Sequence, residues 1–332
     1  MSISSNNRFR KGGALLPLIL FACACVSAQQ NLSTSAQSDP SADAAEALQK
    51  ATQNPVANLI SVPLQNNTNP GIGPFGRNQN VLNIQPVIPV HITSDWNLII
   101  RWIAPIVWQP APGTTDLQVY GIVEDTPVYF AAQEVQKSAG VFGLGDMMPT
   151  FFLSPAKPHK VVWGVGPVFV LPTATSKVLG QGKLSMGPSI VALVQPGHWT
   201  IGVLVNNVWS IAGSGGRSPV NQMTLQYFVN YNLNKGWYLT SSPIISANWK
   251  ASSENVWVAP FGGGVGRITK VGFQPVNLSA QFYGNAAYPI HGSPWSMRFQ
   301  IAFLFPRLDK DQQKAILEKR LKELDQQPTQ KR

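Results

Sequence analysis

Three glycine-rich runs and four histidines are the residues whose types and spacing come nearest to chemistry. Gly71-Ile72-Gly73-Pro74-Phe75-Gly76 has the glycine spacing that lets a backbone close around a dinucleotide pyrophosphate. That use needs a strand before the run and a helix opening on it, whereas here the run lies in an Asn-rich turn, contains proline and opens no helix. Ala212-Gly213-Ser214-Gly215-Gly216 sets a serine between glycines, but no helical pattern follows to make a nucleophile elbow. Gly262-Gly263-Gly264-Val265-Gly266 falls in an alternating segment, where small residues serve close packing or a bend. His91, His159, His198 and His291 stand mostly in or beside turn sequences and form none of the zinc-ligand spacings. No pairing of nucleophile and base emerges. The expectation is a chain that is not an enzyme and uses no cofactor or metal.

What remains is a set of polar and basic side chains that recur on one face of alternating segments: Arg101, Lys183, Gln222, Gln226, Asn277, Gln281, Arg298 and Gln300. Lining a passage, such groups set selectivity for a small solute. Filling a narrow barrel, the same groups are structural.

The elements that must position them are strands. Beyond Pro55 the sequence breaks into twelve segments of roughly ten residues with period 2, separated by Gly, Pro, Asn and Asp. They run over 57–65, 80–91, 95–108, 146–156, 160–172, 183–195, 198–211, 220–233, 236–249, 255–267, 274–285 and 294–305. In the eighth, Met223, Leu225, Tyr227, Val229 and Tyr231 share one face and Gln222, Thr224, Gln226 and Asn230 the other, with Phe228 as the exception. Connections alternate between short (92–94, 157–159, 196–197, 234–235, 268–273) and mostly longer, the longest being 109–145. Short turns on one rim and long loops on the other is the arrangement of a bacterial outer-membrane barrel. Prolines inside segments, among them Pro86, Pro89, Pro105, Pro167, Pro188, Pro243 and Pro260, oppose regular pairing and predict irregular, bulged strands.

The tryptophans separate a membrane wall from a soluble sandwich. Trp96 and Trp108, Trp199 and Trp209, and Trp237 and Trp249 are each an even number of residues apart, so each pair shares a face. Twelve residues at about 3.3 Å each, tilted by roughly 40°, span on the order of 30 Å, the separation of two interfacial aromatic girdles. Composition agrees, with 44% apolar and only 12% charged residues, against about a quarter charged in soluble proteins.

At the N-terminus, Arg8, Arg10 and Lys11 precede an apolar run from Ala14 to Val26, and Val26-Ser27-Ala28 fits a cleavage signal. Leu20-Phe21-Ala22-Cys23 is a loose lipobox weakened by the bulky Phe21, and ordinary cleavage is expected. Both cysteines lie in this segment, so disulfides play no part in the mature fold. Residues 41–53 read as a short helix, either plainly on the surface or docked at a barrel mouth. The charged tail carries Ile316, Leu317, Leu321 and Leu324 at helical spacing. The formal charge of +10 is spread over signal, tail and loops without a concentrated patch, and no nucleic-acid partner is expected.

Several runs resemble the outer-membrane family associated with the meta pathway of phenol degradation: Leu48-Gln49-Lys50-Ala51-Thr52-Gln53-Asn54-Pro55, Gly143-Leu144-Gly145-Asp146, Phe151-Phe152-Leu153-Ser154-Pro155-Ala156-Lys157 and Asn206-Asn207-Val208-Trp209-Ser210. The likeness extends from about Leu48 to Phe305, while 114–141 and the charged tail depart from it. The resemblance implies an outer-membrane barrel and uptake of small, aromatic or otherwise hydrophobic compounds.

The expectation is therefore an all-β antiparallel transmembrane barrel of about twelve strands with short N-terminal and C-terminal helices, in the bacterial outer membrane. Residues 1–28 are the signal peptide, 29–56 a flexible leader and short helix, 57–305 the barrel and 306–332 a charged periplasmic helical tail. Its partners are outer-membrane lipid, a small-molecule solute and, through the terminal strand, the barrel-assembly machinery. Passive uptake is the expected function, with a closed-lumen structural or ligand-binding barrel as the alternative.

Overall fold

A backbone in lipid must satisfy its N–H and C=O groups internally, and strands do so only in a sheet that closes on itself. The computed structural model, which describes residues 40–73, 75–110, 140–157 and 159–306, shows that closure. β1 (Leu59–Ile72) is followed by β2 (Arg77–Ile84) and β3 (Val87–His91), a single stave interrupted at Gln85-Pro86. β4 (Trp96–Gln109) comes next, then β5 (Val141–Leu144) and β6 (Met148–Pro155), again one stave in two pieces. β7 (Val161–Val170), β8 (Lys183–Val194), β9 (Trp199–Gly213) and β10 (Asn221–Asn232) are continuous. β11 (Trp237–Ser241) and β12 (Ile244–Asn248) form a third interrupted stave, broken at Ser242-Pro243. β13 (Trp257–Val271), β14 (Gln274–Ala287) and β15 (Trp295–Pro306) complete the wall. All pairings are antiparallel, and β15 meets β1 from Leu59 opposite Pro306 to Thr68 opposite Met297. Fifteen strands, six of them joined in pairs, thus close into twelve staves.

Each expected segment falls on one stave, but two connections need correction. Residues 66–79, expected to form a loop, are mostly strand: β1 runs to Ile72 and β2 starts at Arg77. The Asn-rich composition reads as turn, yet here it pairs with itself across the hairpin. Thr68 Oγ1 donates to Asn80 Oδ1 at 2.7 Å, and Asn69 Nδ2 to Gln79 Oε1 at 2.9 Å. Gly71, Gly73 and Gly76, at φ +81°, +74° and +59°, turn the chain. On the other rim, β13 continues to Val271, so the turn expected over 268–273 shrinks to Gly272-Phe273. Apart from the first hairpin, the loop asymmetry holds. Turns at 92–95, 156–160, 195–198, 233–236 and 272–273 form one rim, while 171–182, 214–220, 249–256 and 288–294 lie at the other. Most of the 109–145 connection lies outside the described residues, as do the expected signal peptide and charged tail.

Some of the prolines sit where the wall gives way, because proline cannot donate to a ladder, whereas Pro89 and Pro105 stand in unbroken register opposite Ile99 and Asn83. Pro86 and Pro243 mark two stave breaks. Pro167 faces Pro188 across β7 and β8, and the register between β13 and β14 shifts at Ala259-Pro260.

Candidate functional site in the lumen

The helix α1 (Pro40–Thr52) is rich in alanine, the best helix former, and has an i,i+4 ion pair from Lys50 to Glu46 at 2.8 Å. The Lys50 ammonium, hydrogen-bonded to the Glu46 carboxyl, holds that carboxyl below its usual range. The helix ends because Pro55 follows and because Asn54 Oδ1 accepts the Val56 N–H at 3.0 Å. Its position corrects the plain surface reading. Leu48 and Ala51 pack on buried Leu59, Ala302 and Leu304 of β1 and β15. Gln49, only 5% exposed, donates to the Trp237 carbonyl at 3.0 Å. Gln53 Nε2 donates to Asn232 Oδ1 at 2.7 Å, and Gln195 Nε2 to the Lys50 carbonyl at 2.9 Å. Gln195, Asn232 and Trp237 all lie at the short-turn rim, so this segment crosses that mouth from β15 to the end of β8.

Past the helix, Val56 enters an apolar cluster formed by Ile99, Phe152, Val191, Leu193, Leu204 and Phe228. These side chains come from β4, β6, β8, β9 and β10 and occupy alternate, buried positions, which is the inner phase of each strand. Phe228, an exception to the sequence pattern, is thereby accounted for: it belongs to an inner wall that is apolar near this mouth. Gly202 makes room for it, since a Cβ there would stand 2.4 Å from the Phe228 ring. Burying the Val56 side chain contributes roughly 1.5–3 kcal/mol to holding the segment in place.

The opposite side of the lumen is polar and holds a cavity of about 190 Å³. Arg101 borders it, with Nη2 donating to Gln85 Oε1 at 3.0 Å. Gln226, Asn277, Gln281 and Gln300 border it as well, so five of the eight candidate residues meet at one space. Arg298, 7% exposed, stands behind that lining. Its Nε donates to Asn67 Oδ1 at 3.0 Å, its Nη1 to the Ser242 carbonyl at 2.8 Å, and it lies 5.1 Å from the Tyr283 ring centre. Gln222 and Lys183 do not border the cavity: Gln222 accepts a bond from Gln181 at 2.9 Å, and Lys183 begins β8 at the long-loop rim opposite Gly213.

Sequence reading missed Gln85, Tyr238 and Ser242, which also line this space. Tyr238 was accessible by parity, being next to an outward tryptophan; its hydroxyl donates to Asn277 at 2.7 Å. Gly266 admits its ring, since a Cβ there would lie 2.1 Å from it. Gln85 and Ser242 sit at stave breaks, where alternation carries no signal. Ser242 leaves the wall far enough for its Oγ to donate to Gln281 at 3.1 Å and its N–H to Tyr283 at 3.1 Å.

Charge on this inner wall is one-sided. Among the described residues, the carboxylates nearest the barrel are already engaged or peripheral. Asp146 accepts backbone N–H groups from Ala174 at 3.1 Å and Gln181 at 2.6 Å, Asp95 pairs with Lys157 at 2.6 Å on the short-turn rim, and Glu254 lies in the 249–256 loop.

The outer face is apolar. Ile190, Ile201, Val203, Val265 and Phe299 are exposed, as are Trp96, Trp108, Trp199, Trp209, Trp237 and Trp249. Two further tryptophans extend the rows: Trp163 stands edge-on to Trp96 at 6.0 Å, and Trp257 to Trp249 at 5.4 Å. Neither has a same-strand partner at the matching spacing, which is why pair counting passed them over.

No protein-family model matches this sequence, and no curated protein does. Among solved structures, the chain is similar to a COG4313 outer membrane channel from Pseudomonas putida F1, with a TM-score of 0.52 at 12% identity over 74% of this chain and 94% of that one. More remote likenesses include CymD, a monoaromatic hydrocarbon channel, with a TM-score of 0.39 at 12% identity over 78% of this chain and 92% of that one. Another is the outer membrane phospholipase A of Escherichia coli, at 0.37 and 12% over 75% and 97%. A closed wall of twelve antiparallel staves, apolar outside and edged with tryptophan, is the fold of a bacterial outer-membrane β-barrel.

Proposed function

We propose that this chain is an outer-membrane channel for passive uptake of small, aromatic or otherwise hydrophobic solutes. The observation that carries the reading is the amphiphilic cavity within the lumen, with Arg101 and several amides on one side and Leu204 and Phe228 on the other. A wall that only needed filling has no use for such a space. On this reading, residues 1–28 are removed as a signal peptide, β15 engages the assembly machinery, and the tail from 306 lies in the periplasm. Arg101, Lys183, Gln222, Gln226, Asn277, Gln281, Arg298 and Gln300 tune passage, and the tryptophans anchor the wall in lipid.

Reconstitution tests it: full-length barrel in planar bilayers shows discrete conductance, and absence of both conductance and solute flux overturns the open channel. The second reading, a closed-lumen ligand-binding barrel, is favoured by one observation, the N-terminal segment lying across the short-turn mouth. It expects ligand binding in detergent without conductance.

A further inference from the structure

We infer that the lumenal cavity is a binding site for a small monocarboxylate with an apolar body, a single-ring aromatic acid being the best fit. This rests on the channel or binding reading above and names its substrate class.

Arg101 is the cation at the cavity. Among the described residues its hydrogen-bond partner is the neutral amide of Gln85, so one of five guanidinium donors is used and no carboxylate answers the charge. Arg101 is partly buried and leaves donors open toward the cavity, so an arriving anion finds a cation whose charge nothing nearby among the described residues has neutralised. Guanidinium also fits carboxylate in a bidentate fork, which an alcohol or amide cannot match. Arg298 strengthens the same sign of potential from behind Ser242 and Gln281, and its partners among the described residues are likewise neutral: Asn67, Ser242 and the Tyr283 ring.

The rest of the cavity limits what the anion can be. Leu59, Pro63, Val87, Leu204 and Phe228 give it an apolar flank. An inorganic anion or a dicarboxylate would leave that flank unused or bring a second charge against it. At about 190 Å³ the space exceeds the ~150 Å³ that admits a benzene ring, so one ring with its carboxylate is accommodated between Arg101 and the apolar flank. The site thus asks for one ring or short chain and one negative charge.

Isothermal calorimetry on the full-length, detergent-solubilised barrel compares benzoate, benzamide and benzylamine, which share size and differ in charge. Benzoate is expected to bind at least tenfold more tightly than benzamide, with benzylamine weakest. In R101Q the benzoate-to-benzamide ratio falls to near one, while R101K keeps part of it; heat-dependent gel mobility confirms that each variant is folded. Equal binding of the three by the wild type, or an unchanged ratio in R101Q, overturns the site. Planar-bilayer recordings in sodium benzoate separate the two readings. Conductance without a charge preference in binding removes the site and leaves the channel. Benzoate-selective binding without conductance keeps the site and removes the channel.

Discussion

The two sides of the lumen are built from the same kind of strand and solve opposite problems. On one side Ile99, Phe152, Val191, Leu193, Leu204 and Phe228 turn inward and are covered by Val56. On the other, amides, hydroxyls and Arg101 turn inward around a cavity, with Arg298 behind them. A barrel of twelve staves is too wide for its own side chains to fill evenly. Here Val56 fills the bore beside the apolar cluster, and residues 51–55 border the chamber that remains. The helical segment is thus packed into the barrel as part of its structure.

The largest effect should come from removing that part. A chain in which residues 29–56 are deleted is expected to conduct severalfold more than the full-length barrel in planar bilayers; unchanged conductance would mean the segment does not obstruct the path. Next, Phe228→Ala should destabilise the barrel by about 3–5 kcal/mol, read as a lower temperature of heat-dependent mobility loss. A charged Val56→Asp should release the leader while leaving the barrel folded, because an unpaired carboxylate is not tolerated in an apolar cluster; protease cleavage near residue 56 in the variant alone would report it. Tyr238→Phe, on the polar side, should cost about 1 kcal/mol through its lost bond to Asn277. Asp95→Asn, which breaks an exposed pair with Lys157, should change stability by less than about 1 kcal/mol. If Tyr238→Phe exceeded the Phe228 variant, the polar side would be the structural one and the comparison would reverse.

Much of the wall was legible because strand parity leaves a plain trace. Trp237 on the outside puts Tyr238 inside, and Gln226, Asn277, Gln281 and Gln300 follow from their own strands by the same rule. Legibility failed where the backbone departs from that rule. Gln85 and Ser242 lie at breaks beside prolines, and the hairpin over 66–79 is held by side-chain amides whose composition reads as loop. Docking of α1 was hidden for another reason. A helix of alanines with one leucine has too weak an apolar face to announce its partner, and the surface it meets is assembled from strands at the two ends of the barrel sequence.

That last point bears on the order of assembly. Leu48 and Ala51 rest on Leu59 of β1 and on Ala302 and Leu304 of β15 together, so their seat does not exist until the first and last strands have met. Joining strands so far apart in sequence carries the largest chain-closure entropy in the fold and is expected late. The leader can therefore seat only after the ring is sealed, and its insertion marks a finished barrel.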